Sequence, residues 1–257
     1  MNQLNHELNI IKAKNITKKY EIAESDTFLK ALDDISLSID KGDFIAIMGK
    51  SGSGKTTLLN ILSTIDIQTS GQVYIYDTEI RKLEEFKLTE FRHNHLGFIF
   101  QTPNLLKRDT IYENIALSLS MASVSEIKIK QQINIITKQL GIESILKKYP
   151  SECSGGQLQR VTIARALVRN PEIIFADEPT GNLDSKTSKQ LMELFQELND
   201  AGKIIVMVTH DCYIASFSKK VLYLKDGKII NQLEKGSVSQ KEYFDSIVDL
   251  LFKEDES

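Results

Sequence analysis

The chain has 257 residues, of which 41% are hydrophobic and 26% are charged, and its formal net charge is −3. This composition is typical of a globular protein with a sizeable core, and it provides no basic field that would attract nucleic acid. The two cysteines, Cys153 and Cys212, form neither a metal-binding spacing nor a disulfide framework. We expect no signal peptide and no membrane span, because apolar runs such as "FIAIM" are far shorter than the roughly 20 residues that a span requires.

The first third of the chain predicts strands of two kinds. The segments "ELNIIKAKNITKKY", "LKALDDISLSIDKGD" and "GQVYIY" alternate apolar and polar side chains, as half-buried antiparallel strands do. In contrast, "DFIAIMG" is a nearly continuous apolar run, which is typical of a parallel strand buried on both faces. The helical pattern "GKTTLLNILSTI" follows it from Gly54.

The remainder of the chain predicts alternating helices and buried strands. The stretch from about residue 91 to 149 has a helical pattern with no buried-strand signal after "LGFIF", and "QLQRVTIARALVRN" is a further helical pattern. The runs "EIIFADE" and "KIIVMVTH" predict two more buried strands, and a helix between them begins at Ser185 and stops at Gly202. Buried strands that alternate with helices indicate an α/β fold with a parallel sheet.

These patterns predict the organisation of the chain. A single domain spans residues 11–232, with a core formed by 11–90 and 160–232. A helical subdomain is inserted over about 91–159, and a helical tail follows over 233–257. The tail has apolar side chains at helical spacing, which can pack on the chain's own domain or contact a partner. These side chains are Tyr243, Phe244, Ile247, Leu250 and Leu251.

Residues 49–56 read G-x-x-x-x-G-K-T between a predicted strand and a predicted helix, which is the context that a P-loop requires. In such a loop, successive backbone N–H groups surround phosphate oxygens. Lys55 can reach the β- and γ-phosphates, and the hydroxyl of Thr56 can bind Mg²⁺. The residues predicted here to bind nucleotide are Gly49, Ser51, Gly52, Ser53, Gly54, Lys55, Thr56 and Thr57.

Two carboxylates follow the second buried strand. In "IIFADE", four apolar residues lead to Asp177, which we expect at the C-terminal end of the strand beside the P-loop. Asp177 is therefore a candidate Mg²⁺ ligand, directly or through water. Glu178 is placed to activate the water that attacks the γ-phosphate. These residues predict a bound nucleotide together with Mg²⁺.

A second candidate anion site lies in "SECSGGQLQR", residues 151–160. A serine and two glycines stand directly before a helical pattern, and the N-terminus of a helix attracts anions. The residues themselves do not explain why one chain would carry two such sites.

The P-loop, "CSGGQ", "IIFADEPTGNLDS" and "VMVTHD" occur in the order and approximate spacing of the nucleotide-binding subunits of ABC transporters, which this chain resembles from about Ile11 to Ile230. The resemblance implies a RecA-like P-loop NTPase with a parallel-sheet core, an N-terminal antiparallel β subdomain and an inserted α-helical subdomain. It also implies a head-to-tail dimer, in which each ATP lies between the P-loop of one copy and the SGGQ segment of the other. That segment is Ser154, Gly155, Gly156 and Gln157.

Further positions match functional residues of this family. Tyr20 matches the aromatic residue that stacks on adenine, and Gln101 matches the glutamine whose loop senses Mg²⁺ and the attacking water and contacts the membrane subunit. His210 matches the switch histidine that contacts the γ-phosphate, and Asp184 matches the loop that communicates between the two copies. Cys153 stands where the family usually has leucine, and we expect it to pack and activity to survive. The residues expected to take part in catalysis are Glu178, His210 and Gln101.

Longer segments resemble one branch of the family, which contains macrolide-export, lipoprotein-release and antimicrobial-peptide-resistance ATPases. "FRHNHLGFIFQTPNLLKRDTIYENIALSL" and the tail "SQKEYFDSIVDLL" look most like the bacitracin- and lantibiotic-resistance ATPases. This subgroup implies an integral membrane permease, a neighbouring sensor histidine kinase and a location at the cytoplasmic face of the cell membrane.

Three alternatives stay open at the level of sequence. The first is a macrolide-efflux or lipoprotein-release system of the same branch. The second is a soluble ABC protein that acts on ribosomes or DNA, although such proteins usually have two P-loops or long coiled coils, and neither occurs here. The third is a P-loop kinase or GTPase, which would leave "CSGGQ" and "VTHD" without a purpose.

Overall fold

The computed structural model describes residues 9–21, 27–120 and 125–255. The strands in these residues are β1 Asn9–Glu21, β2 Phe28–Asp40, β3 Phe44–Met48, β4 Ser70–Ile75, β5 Thr78–Glu79, β6 Leu96–Ile99, β7 Ile173–Asp177, β8 Ile204–Val208, β9 Lys220–Lys225 and β10 Lys228–Glu234. The α-helices are α1 Lys55–Leu62, α2 Glu85–His95, α3 Ile111–Ser120, α4 Glu126–Leu140, α5 Gly155–Leu167, α6 Ser185–Asp200, α7 Cys212–Ala215 and α8 Gln240–Asp255. None of these helices combines the length and the apolar character that crossing a bilayer requires.

A six-stranded sheet forms the centre of the fold, with the strand order β10-β9-β3-β8-β7-β6. Neighbours from β9 to β6 pair in parallel, and β10 pairs antiparallel with β9. All residues of β3 and β8 are buried, and so are the first four of β7, as expected for apolar strands covered on both faces. The predicted α/β fold with a parallel sheet is confirmed.

The N-terminal strands form a separate antiparallel sheet with the order β2-β1-β4-β5, which confirms the predicted β subdomain. Ile11 and Ala13 of β1 are buried and pair with Ile75 and Val73 of β4. These side chains share one apolar core with α1 and with one face of the central sheet. A second core joins the opposite face of that sheet to α3, α4, α5, α6 and α8.

The elements do not begin and end at the predicted limits of the helical subdomain and of the tail, which stay predictions. Residues 96–99, in the run "LGFIF" after which no strand signal is found, form β6 and pair in parallel with β7. They lie at the edge of the central sheet. The predicted limit at residue 159 lies within α5, and the predicted start of the tail at residue 233 lies within β10.

The C-terminal helix α8 packs on the chain's own core. Tyr243, Ile247 and Leu250 are buried in the same apolar cluster as residues of α7 and β9. The hydroxyl of Tyr243 donates a hydrogen bond to the carbonyl oxygen of Leu233 at 3.1 Å. Of the two roles considered for these apolar side chains, the structure therefore supports internal packing.

Tyr243→Ala is expected to lower the free energy of unfolding by about 3–5 kcal/mol, as truncation of large buried aromatic side chains does. Tyr243→Phe should cost only about 1 kcal/mol, because it removes a single hydrogen bond. Urea denaturation followed by circular dichroism measures both effects. Phe252→Ala is the matched control, since Phe252 lies on the same helix but is 68% exposed; equal losses for Y243A and F252A would contradict the packing.

Candidate functional site

The loop of residues 49–54 joins β3 to α1 and lies against neighbouring backbone. Gly54 has φ 102° and precedes α1 as its N-cap. A Cβ atom at Gly54 would lie 2.4 Å from the carbonyl oxygen of Ala31, and one at Gly49 would lie 2.2 Å from that of Leu224. Both positions therefore require glycine, and the loop is held close to β2 and β9.

Two side chains of this loop are suited to bind an anionic ligand. Lys55 donates from Nζ to the carbonyl oxygen of Lys50 at 2.8 Å, and burial lowers the pKa of Lys55 against the opposing effect of Glu178 and Asp177. The hydroxyl of Ser53 is buried and has no hydrogen-bond partner among the described residues. A buried polar atom of this kind is costly unless a ligand or water satisfies it.

Oxygen atoms suited to Mg²⁺ lie beside the loop. The Thr56 hydroxyl donates to the Asp177 carboxylate, with oxygen–oxygen distances of 3.2 and 3.3 Å. Burial raises the pKa of Asp177, while its hydrogen bond with Thr56 opposes the shift. A half-buried carboxylate next to a hydroxyl fits the preference of Mg²⁺ for hard oxygen ligands, and a cation there would compensate its charge.

Two other predicted residues, Gln101 and His210, contact the carboxylate of Glu178. Its Oε2 accepts a hydrogen bond from Nε2 of Gln101 at 3.1 Å, and its Oε1 lies 3.1 Å from Nδ1 of His210. Because a carboxylate can only accept, Nδ1 carries the proton of that bond. The structure thus brings Gln101, Glu178 and His210 together, although they lie far apart in the sequence.

The backbone at Glu178 is unusual for a residue with a side chain. Its φ is 45°, in the left-handed region, which non-glycine residues seldom adopt. The N–H group of Glu178 donates to the carbonyl oxygen of Val208 at 3.0 Å, and its own carbonyl oxygen accepts from Gly181 at 3.1 Å. Strain of this kind persists where the surrounding structure over-determines it, commonly at functional sites.

Two adjoining clefts meet at this carboxylate. A cleft of about 540 Å³ is lined by Tyr20, by residues 49–52 and 54–57, and by Glu178 and His210. A second cleft of about 460 Å³ is lined by Gln101, Glu178 and His210 together with residues of the loop before α6. The arrangement offers a candidate anion-binding loop, a candidate metal-binding pair and a candidate general base within one region.

Tyr20 lies at the end of β1, and the structure anchors it in a way that no sequence pattern indicates. Its hydroxyl donates to Asp66 at 2.7 Å, and the ammonium group of Lys18 lies 4.8 Å from the centre of its ring. Burial, followed by the hydrogen bond to Asp66, raises the pKa of Tyr20, so the hydroxyl remains protonated. The ring faces the cleft at 38% exposure.

The residues of the second candidate anion site lie elsewhere. Ser154 is the N-cap of α5, where its hydroxyl accepts from the N–H of Gln157 at 3.3 Å and the Gln157 side chain accepts from the N–H of Ser154 at 2.9 Å. Such a reciprocal pair leaves the first turn of the helix ordered. None of Ser154, Gly155, Gly156 and Gln157 lines the cleft that contains Gly49 and Lys55.

Two other predicted positions have structural partners within the chain. Asp184 is the N-cap of α6, where its carboxylate accepts from the N–H of Thr187 at 3.0 Å, and this hydrogen bond lowers the pKa of Asp184. Cys153 packs against the apolar core as expected. Burial raises the pKa of the Cys153 thiol, which disfavours the reactive thiolate.

Comparison with known proteins identifies the family. The family model described as "ABC transporter" matches residues 32–181. The chain belongs to the ABC transporter family. It is 46% identical over 241 residues to the bacitracin export ATP-binding protein BceA of Halalkalibacterium halodurans, and the match covers 93% of this chain and 94% of that protein.

Two further ABC proteins extend this comparison. The structure described as the dimeric post-hydrolysis state of the ATP-binding cassette MJ0796 bound to ADP and Pi has a TM-score of 0.84 and 39% identity, and covers 89% of this chain and 100% of that chain. The macrolide export ATP-binding/permease protein MacB of Mannheimia succiniciproducens is 42% identical over 231 residues, which are 90% of this chain and 36% of MacB. This ABC protein is therefore the ATPase subunit of a transporter.

Gly54→Ala is expected to weaken ATP binding by about tenfold or more, because strained backbone and a clash with Ala31 cost about 1–3 kcal/mol. Isothermal titration calorimetry measures the Kd. Gly202→Ala is the matched control: Gly202 also has a positive φ, 93°, but it has open space around it and precedes β8 at the opposite end of the sheet. G202A should leave the Kd unchanged, whereas an unchanged Kd for G54A would contradict the role of the loop.

Proposed function

We propose that two copies of this chain form two ATPase sites, each built from the P-loop of one copy and the Ser154 turn of the other, and that they drive a permease that confers resistance to antimicrobial peptides. The observation that carries the proposal is the meeting of Gln101 and His210 at Glu178, beside Lys55 and Asp177. These groups can bind phosphate and activate water in one place.

Binding of ATP is assigned to the first cleft. The N–H groups of the loop and Lys55 would hold the phosphates, and Thr56 and Thr57, which line the same cleft, would add hydroxyl groups. The ring of Tyr20, anchored by Asp66, provides a face on which adenine can stack. Thr56 and Asp177, with Gln101 beside them, would hold Mg²⁺, which when bound neutralises charge on the phosphate oxygens.

Activation of water is assigned to Glu178. Its carboxylate would take a proton from the water that attacks the γ-phosphate, since a general base must lie within hydrogen-bonding reach of that proton. Gln101 and His210 each direct one carboxylate oxygen, at 3.1 Å. They limit rotation of the Glu178 side chain, so the base is oriented before the substrate binds.

The second anion site supports a shared reaction site. Ser154 and Gly155 are exposed, and among the described residues nothing outside the first turn of α5 itself lies within 4 Å of a Cβ placed at Gly155. The first turn of α5 would therefore face the γ-phosphate of ATP held by the other copy, where the helix N-terminus favours negative charge. Asp184, which caps α6 beside this region, is proposed to communicate between the copies.

The proposed class of exported substrate is inferred from the proteins that this chain is similar to. BceA, at 46% identity, is described as a bacitracin export protein, and MacB, at 42% identity, as a macrolide exporter. We favour peptide resistance because the first match covers 94% of BceA; macrolide efflux and lipoprotein release are the alternatives. A sensor histidine kinase acting through the permease, and a position at the cytoplasmic face of the cell membrane, are further parts of the proposal.

Glu178→Gln is expected to slow ATP hydrolysis by about 10²–10⁴-fold, as loss of a general base does, while ATP still binds. ATP and Mg²⁺ should then hold two copies together. Phosphate release measures the rate, and size-exclusion chromatography with light scattering measures the dimer. A variant that hydrolyses ATP like the unaltered chain would contradict the role of Glu178.

In the Glu178→Gln background, Gly155→Ala should abolish the ATP-dependent dimer without lowering Tm. Beyond its own helical turn, the added methyl group meets none of the residues that the structure describes, so interference with a second molecule is the expected effect. Ser151→Ala, an exposed change in the same segment, is the control and should leave the dimer intact. A dimer that persists in the E178Q/G155A variant would place the turn outside the shared site.

Disruption of the gene for this chain in its host should increase sensitivity to bacitracin and leave sensitivity to a macrolide unchanged. Growth-inhibition assays measure both. The unaltered chain should restore resistance, and the Glu178→Gln chain should not, because export depends on hydrolysis. The reverse pattern of sensitivity would favour macrolide efflux instead.

A further inference from the structure

Gln159 is a fully buried residue of α5 to which the sequence patterns give no role. Its Nε2 donates to the carbonyl oxygen of Pro179 at 3.1 Å and to that of Phe100 at 3.4 Å. An amide group has two N–H donors, so one side chain can satisfy both carbonyl oxygens. Pro179 directly follows Glu178, and Phe100 directly precedes Gln101.

The two segments that Gln159 contacts are not held by regular secondary structure. Residues 100–110, between β6 and α3, form no helix or strand, and neither do residues 178–184 between β7 and α6. The Asn182 side chain donates to the carbonyl oxygen of Gln101 at 3.2 Å and so joins the two segments to each other. Gln159 joins both of them to a helix.

We propose that Gln159 is a positioning residue for ATP hydrolysis. By holding the backbone next to Gln101 and next to Glu178, its amide fixes how these two side chains meet. The inference rests on the proposed function, in which Glu178 activates water.

A buried acceptor atom of Gln159 supports a positioning role rather than a role in packing alone. Oε1 of Gln159 is buried and has no partner among the described residues. An apolar side chain of similar volume would avoid the cost of burying that atom. The presence of glutamine is therefore explained by what its N–H groups do for the two loops rather than by stability.

Gln159→Met removes both donors while keeping an unbranched side chain. It is expected to lower kcat of the full chain, assayed with its permease, by about 10- to 100-fold, because small misplacements of catalytic groups have effects of that size. The Kd for ATP should not change, because Gln159 donates to Phe100 and Pro179 and does not line the cleft that contains Lys55. A lower kcat with an unchanged Kd would indicate that Gln159 positions catalytic groups. Loss of folded protein would instead impair ATP binding as well.

Thr162→Val is the matched control. Thr162 is also fully buried on α5, but its hydroxyl donates to the carbonyl oxygen of Leu158 within the helix at 3.1 Å. T162V therefore removes a buried hydrogen bond of the same helix without affecting either loop. Its kcat should stay close to that of the unaltered chain at temperatures where circular dichroism shows both variants folded.

Gln159→Asn is the second variant, should Q159M fail to fold. It keeps an amide in the core on a shorter side chain that cannot span both carbonyl oxygens, and its kcat should be intermediate. A kcat equal to that of T162V for whichever Gln159 variant folds would overturn the positioning role.

The Glu178→Gln background separates this inference from the proposed function. There, Gln159→Met should still allow the dimer with ATP and Mg²⁺; loss of that dimer would show that Gln159 acts on binding or assembly, and would overturn the inference. Normal hydrolysis by E178Q alone would instead overturn the proposed function. An inactive E178Q with a fully active Q159M would overturn the inference only.

Discussion

Parallel pairing of β3, β8, β7 and β6 is the constraint on which the rest of the site depends. These strands are neighbours in the sheet, so their C-terminal ends lie along one edge. Each is followed at once by a functional segment, which contains Gly49 after β3, His210 after β8, Glu178 after β7 and Gln101 after β6. Ligands of open α/β sheets bind at this edge. The 3.1 Å contacts of Glu178 depend on the register of β7 between its two neighbours.

The left-handed backbone at Glu178 shows how this constraint is used. A residue held in that conformation carries strain of about 1–3 kcal/mol, and interactions elsewhere in the fold must offset this free-energy cost. Its N–H group is fixed by the end of β8, and the carbonyl of the next residue is held by Gln159. The chain leaves the strand direction at Glu178, and the Glu178 carboxylate contacts Gln101 and His210. Asp177 is still part of β7 and lies beside Thr56.

Helix α5 connects two parts of the molecule with different roles. Its first turn, capped by Ser154 and Gln157, is exposed and satisfied within itself. One turn further on, Gln159 is buried against the loops that hold Gln101 and Glu178. Helix α5 thus extends from a surface that is exposed among the described residues to the centre of the site. This arrangement suits the proposed shared site, because the turn that would contact the other copy and the residue that holds the loop after Glu178 belong to one helix.

The sequence alone determined the class of fold and most of the site's chemistry, because these depend on local patterns. Apolar runs distinguished buried parallel strands from half-buried antiparallel ones, and the loop before α1 and the carboxylates after β7 were recognisable within a few residues. Only the tertiary structure decided that the short run 96–99 is the edge strand of the sheet and that α8 packs on the core. Asp66 and Gln159 escaped prediction for the same reason. Their partners lie 46 and 20 positions away or more, at Tyr20 and Pro179, and such hydrogen bonds arise from packing of whole elements, which no local pattern records.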